Sequence, residues 1–118
     1  MTLDSVRRFA LALPETTEQP HHHHGSFRVR GRIYATYPPE GDRLHLFPSE
    51  TDREQALAMY PEFAHKLLWG GKVAGLRIDL AAARAAVVKL LLRQAWRHKS
   101  ATPSKRVRTA GRSGAGAV

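Results

Sequence analysis

The chain has 118 residues, 42% of them hydrophobic, and its 19 lysines and arginines outnumber its 10 acids to give a net charge of +9. That length suits one domain with a modest core and no more than one. The absence of cysteine excludes a disulfide framework and thiolate chemistry, no apolar run approaches the roughly 18 residues that cross a bilayer, and the opening MTLDSVRRF lacks the apolar segment of a secretory signal, so a cytoplasmic protein is the default expectation.

Residues 3–13 read as an amphipathic helix. Leu3, Val6, Phe9 or Ala10, and Leu13 recur at helical spacing, Thr2 can cap, Asp4 suits the positive N-terminal end and Pro14 stops the run. Arg7 and Arg8 fall off that stripe, as residues of a solvated face do. Residues 14–25, PETTEQPHHHHG, form a polar connector punctuated by Pro14, Pro20 and Gly25. His21 to His24 raise a metal hypothesis, but adjacent loop histidines make an undirected chelator. A built site takes ligands from separate, supported elements, so no metal site is expected.

Ser26 to Tyr37, SFRVRGRIYATY, has the pattern of a β-hairpin with Gly31 in the turn. Phe27 and Val29 can be buried while Arg28 and Arg30 point away. A two-residue loop pairs Val29 with Arg32. A three-residue loop pairs it with Ile33 and keeps the apolar face continuous, and is the expected one. After a turn at residues 38–42, Arg43 to Phe47 alternates as a third strand, closing an antiparallel meander. Thr51-Asp52-Arg53-Glu54 is a capping-box signature for a short helix over 52–59 that ends before Pro61.

Phe63, Leu67, Leu68 and Trp69 form an apolar cluster before Gly70-Gly71-Lys72, and Val73 to Ile78 reads as a strand ending at Asp79. Asp79 is a good N-cap for a long helix over 80–98. Leu80, Ala83, Val87, Leu91 and Ala95 form its apolar stripe, broadened by Val88, Leu90 and Leu92, which would cover the sheet. The remainder, 99–118, carries Lys99, Lys105, Arg106, Arg108 and Arg112 with no acid, a charge of +5 against +4 for residues 1–98. It lacks the apolar surface to offset ordering entropy, which predicts a disordered tail beyond a domain at 1–98.

In order along the chain, ALALPE, the His-containing connector, SFRVRGRIYATY, the Trp69-Gly70 turn and the final DLAAA…LLLRQAWR helix resemble the MmcQ/YjbR family. The resemblance covers about 1–98. It implies a small α+β fold, an antiparallel sheet of about five strands with an N-terminal helix, a short middle helix and a long C-terminal helix, similar to frataxin and secretion-chaperone folds. It also implies DNA binding through a double-wing arrangement of hairpins. The chain departs from the family pattern in having Leu76 after Gly75, where relatives often carry an aromatic, and in its histidine-rich connector.

Three local features support nucleic-acid binding. Arg28, Arg30 and Arg32 sit on a protruding hairpin, where guanidinium groups could meet phosphates or a base edge. Lys89, Arg93 and Arg97 recur every fourth residue as a basic ridge on the last helix. Lys105, Arg106 and Arg108 belong to a cationic arm of the kind that binds phosphate without sequence preference. Each also reads as a solvated or solubilising feature. No zinc finger or RNP motif is present.

An enzyme is the alternative class, and no site for one emerges. Around Gly71-Lys72 a P-loop needs glycine at 66 and Ser or Thr at 73, where the chain has Lys66 and Val73. Glu15, Glu18, Asp42 and Asp79 sit where turn or cap chemistry explains them. A protein-interaction adaptor using the sheet face rests on fold analogy alone. The expectation is a non-enzymatic DNA-binding protein without cofactor, favoured as a monomer.

Overall fold

The computed structural model describes residues 1–101. Its elements follow in the order α1 (Leu3–Ala12), β1 (Thr16–His21), β2 (His24–Val29), β3 (Arg32–Tyr37), β4 (Arg43–Leu46), α2 (Glu50–Met59), β5 (Ala64–Trp69), β6 (Lys72–Asp79) and α3 (Ala85–Ala101). The strands make one antiparallel sheet ordered β1-β2-β3-β4-β6-β5. The α+β expectation holds, with six strands in place of about five. No helix among the described residues is long and apolar enough to cross a membrane.

Two of the six were not read as strands: β5, which the sequence presents only as an apolar cluster, and β1, which it presents as a connector. TTEQPH offers no apolar alternation to mark it, yet it pairs in register with β2 from Thr16↔Val29 to His21↔His24. As the sheet's edge it can be polar, and it tolerates Pro20, which could not donate within a central ladder. The β2–β3 loop corrects a second expectation: it has two residues, not three, and Val29 pairs with Arg32. Arg30 (φ 53°) and Gly31 (φ 79°) both take left-handed backbone, as a type I′ turn requires. The apolar face is recovered one step later. A bulge shifts the register so that Phe27 pairs with Ala35, leaving Tyr34 and Ala35 both buried.

Two helix starts also differ from expectation. α2 begins at Glu50, and its cap is Ser49, whose hydroxyl accepts from the Asp52 backbone N–H at 3.2 Å; Thr51 is already helical. The Ser49-x-x-Asp52 spacing serves as well as the Thr51 signature, and it lies closer to Pro48. α3 begins at Ala85, not at residue 80. The Asp79 carboxylate caps a preceding turn instead, accepting from the Ala81 N–H at 3.2 Å, while the Ala83 N–H reaches the Asp79 carbonyl at 3.0 Å. Leu80 and Ala83 are still buried, because that turn nearly matches helical spacing. At its other end α3 runs through Lys99 to Ala101, past the expected boundary at 98; the remainder of the expected disordered tail, 102–118, lies outside the described residues.

Directly paired residues project to the same side of a sheet. One face therefore carries Phe27, Ala35, Leu46 and Leu76 in one row and Leu44, Ile78 and Ala64 in another, all buried. Against it pack Val6 and Ala10 of α1, Ala56 of α2, and Val88, Leu91, Leu92 and Ala95 of α3. Each large apolar side chain buried there contributes roughly 1.5–3 kcal/mol. Arg7 does not belong to a solvated face: its Nε donates to both carboxylate oxygens of Glu18 at 3.0 Å, and the Tyr37 hydroxyl donates to the same group. That cluster, rather than a turn or cap, accounts for Glu18 and ties α1 to β1 and β3. Arg8 does face solvent, paired with Asp4.

Candidate nucleic-acid interface

The three hairpin arginines do not form one patch. Arg28 lies on the sheet face opposite the helices, where its Nε donates to Ser26 Oγ at 3.1 Å and its Nη2 to the Pro20 carbonyl at 3.3 Å. Arg30 occupies the tip of the turn, and its Nε reaches Glu15 at 3.2 Å. Arg32, opposite Val29, belongs to the helix-covered side at the end of β3 and is half-buried. The two-residue loop produces this division. It puts Arg30 into the turn itself and leaves Arg28 and Arg32 on opposite faces.

The helix ridge is a real surface feature with an aromatic beneath it. Lys89 Nζ stands 5.9 Å and Arg93 Cζ 5.4 Å from the centre of the Phe9 ring of α1, within cation–π range. Arg97 follows one turn later, exposed. The C-terminal end of α3 meets the hairpin: Arg30 Nη1 donates to the Ser100 carbonyl at 3.5 Å, and Trp96 Nε1 donates to the Pro14 carbonyl at 2.9 Å. Among the described residues, Arg28, Arg32, Lys89, Arg93, Arg97 and Lys99 have no carboxylate within 4.0 Å; Arg30 alone of the nominated cations is paired. Lys105, Arg106 and Arg108 lie outside the described residues.

The uncovered sheet face entered the sequence reading only as an adaptor surface by fold analogy, with none of its polar residues other than Arg28 nominated. Gln19, Ser26, Thr36, His45, Arg77 and His65 pair successively across all six strands and form a polar row on it. Thr36 and His45 are 5% and 8% exposed despite lacking a helix above them. The His21–His24 turn and Trp69 overhang them, enclosing about 280 Å³. An adjoining space of about 230 Å³ shares His21, Thr36 and Trp69 with the first and adds Ile33, Phe47 and Lys99. His45 Nδ1 and Thr36 Oγ1 are 3.2 Å apart, and burial first, then the charges of His24, Arg43 and Arg77, hold the His45 pKa down at about 4. The alternation Arg43-Leu44-His45-Leu46-Phe47 carried the signal: its apolar leucines face the helices, which leaves His45 and Phe47 on the open side.

The histidines do not converge on a metal geometry; among the described residues no group of three or more His, Asp or Glu could hold an ion. A wider depression of about 810 Å³ lies at the other end of the sheet, where Asp42 and Asp79 largely offset Arg43 and Arg77.

An antiparallel sheet with three helices on one face and a basic helix end against a hairpin tip defines a class of small α+β domain, and comparison with known proteins gives that class its family. The YjbR family model matches residues 11–98. The chain belongs to the YjbR family. Among solved structures, a Deinococcus radiodurans protein, DR2400, with a DUF419 domain, is similar with a TM-score of 0.74 and 21% identity, over 92% of this chain and 86% of that one. A search of curated proteins returns no match.

Proposed function

We propose that this chain binds DNA, contacting the phosphate backbone at the corner where the β2–β3 tip meets the end of α3. The observation that carries the reading is that junction, held by the Arg30–Ser100 hydrogen bond. It joins Arg30, at the hairpin tip, to the helix end that carries Arg97 and Lys99, with Arg28 and Arg32 flanking the tip on opposite faces of the hairpin and Glu15 paired to Arg30. Unpaired cations on a rigid framework suit phosphate, because each contact releases condensed counterions. Lys89 and Arg93 extend the surface along α3, and Lys105, Arg106 and Arg108 would continue it in sequence. No base-reading helix is implied, so affinity rests on the backbone, not on sequence.

The test is a fluorescence-anisotropy titration of labelled duplex over a salt series. Arg97→Ala with Lys99→Ala should weaken binding at low salt. It should also reduce the magnitude of the salt slope, by about 0.9 for each phosphate that is no longer neutralised. A slope and affinity identical to the parent's would overturn the assignment to this corner. Circular dichroism melts of the variant should stay close to the parent's, since Arg97 is exposed and the half-buried Lys99 borders an open space and not the core.

A further inference from the structure

We infer that the open sheet face takes the unpaired bases of a single-stranded nucleic acid, with Trp69 as the stacking surface and His45 as the group that meets a base edge. The inference rests on the backbone-binding reading above and names the form of nucleic acid that the domain prefers.

Three features of the face point to a planar, polar-edged, anionic ligand. The first is an aromatic surface that no other element covers among the described residues. Trp69 is 57% exposed at the end of β5, 5.5 Å centre to centre from the Phe47 ring, and its indole borders both adjoining spaces. Base–aromatic stacking needs such a surface and tolerates any base, since every base has a π-face. The second is an unsatisfied polar atom. His45 is more than nine-tenths buried and lines the first space, yet only its Nδ1 has a partner, Thr36; Nε2 has none among the described residues. A buried polar group left unpaired is costly, and a base edge, which presents both donors and acceptors, would satisfy it in either tautomer. The third is charge. Among the described residues no carboxylate borders either space, and Lys99, part of the proposed phosphate-binding corner, lines the second one. A strand whose backbone runs along the corner can thus turn its bases onto the sheet.

A duplex could use the corner but not the face, because its bases are stacked inward. Aromatic side chains on an open antiparallel sheet provide the platform that unstacked bases use.

The experiment uses the full chain carrying Trp96→Phe, so that Trp69 is the only indole, with three ligands: a single-stranded oligonucleotide, its blunt duplex, and a single strand of abasic residues. The single strand should quench Trp69 emission, and the other two should not. In the unaltered background, Trp69→Ala should weaken single-strand binding by about tenfold, as removal of one stacked base does, while leaving duplex affinity and the salt slope unchanged. His45→Ala, read in the same titration, should weaken the single strand and spare the abasic one. Equal single-strand affinity of parent and Trp69→Ala, or equal quenching by duplex, overturns this inference and leaves the backbone reading standing. Failure of the parent to bind any of the three ligands overturns the backbone reading, and this one with it.

Discussion

His45 shows how much a single position can carry. With a pKa near 4 in the fold and about 6.5 when unfolded, it is neutral in the native protein down to acidic pH. Between those values the unfolded chain binds a proton that the folded chain does not, so stability should rise with pH from 4 to 6.5 and be fully present above. Denaturant melts at pH 7 and pH 4.5 should differ by roughly 2 kcal/mol from this residue. His45→Gln should flatten the difference by that amount; an unchanged pH slope would show that His45 is not its source. Gly75 is a second position of this kind. A Cβ there would enter the Leu46 carbonyl oxygen and approach the Phe47 ring to 2.9 Å. Gly75→Ala should therefore destabilise by about 2 kcal/mol or more in a thermal melt. Neither property was legible in the sequence. His45 looked like one alternating strand residue, and its neutrality depends first on burial by the neighbouring strands and the overhanging turn, then on His24 of β2 and Arg77 of β6 arriving beside it, with Arg43 of its own strand. Thr2, in contrast, was readable as a cap, because capping needs only the next few residues, and its hydroxyl does accept from the Ser5 N–H.

Among the elements, the β2–β3 hairpin separates what sequence pattern can tell from what it cannot. Its strands were legible from β-branched and aromatic alternation, but its register was not, because a bulge one pair further on repairs the apolar face that the short loop interrupts. The turn makes a usable test. Arg30 holds left-handed backbone that an arginine adopts at a cost, whereas Asn-Gly is the preferred type I′ pair. Arg30→Asn should leave the melting temperature equal or slightly higher while lowering affinity for duplex DNA at low salt. A large drop in stability instead would mean that the Glu15 ion pair and the Ser100 hydrogen bond together outweigh the turn, contrary to the small value of exposed contacts. The basic ridge of α3 was equally legible, since Lys89, Arg93 and Arg97 follow from spacing alone. That Phe9 lies under two of them was not, because the interaction joins residues 80 or more apart in the chain. β1 escaped for a related reason: a polar edge strand is defined by its partner and not by its own composition.

At the level of the whole molecule, local pairing builds most of the sheet. β1–β2, β2–β3 and β5–β6 are hairpins between sequence neighbours, and β3–β4 closes the meander across a short turn. Only β4 and β6 meet across a long stretch of chain, with α2 and β5 between them in sequence. Four residue pairs, from Arg43↔Asp79 to Leu46↔Leu76, make that seam, and everything on either side of it is held together through it and through the helices above. This has a kinetic meaning. Closing a long loop must precede the contacts that reward it, so the seam is where the barrier to folding should lie. Ile78→Val, which removes one methylene from the seam, should slow refolding by about the full stability change, whereas Val6→Ala in α1 should chiefly speed unfolding. A chevron plot that gave Ile78 a value near zero and Val6 a value near one would reverse this order. If the order holds, a half-made molecule is two separate ribbons, the meander and the β5–β6 hairpin, each with one side of the seam unpaired. During synthesis the meander emerges first, and its β4 edge stays open until β6 has left the ribosome. The most vulnerable moment of this protein's life would then be that interval, when any strand of similar apolar character can take the place reserved for β6.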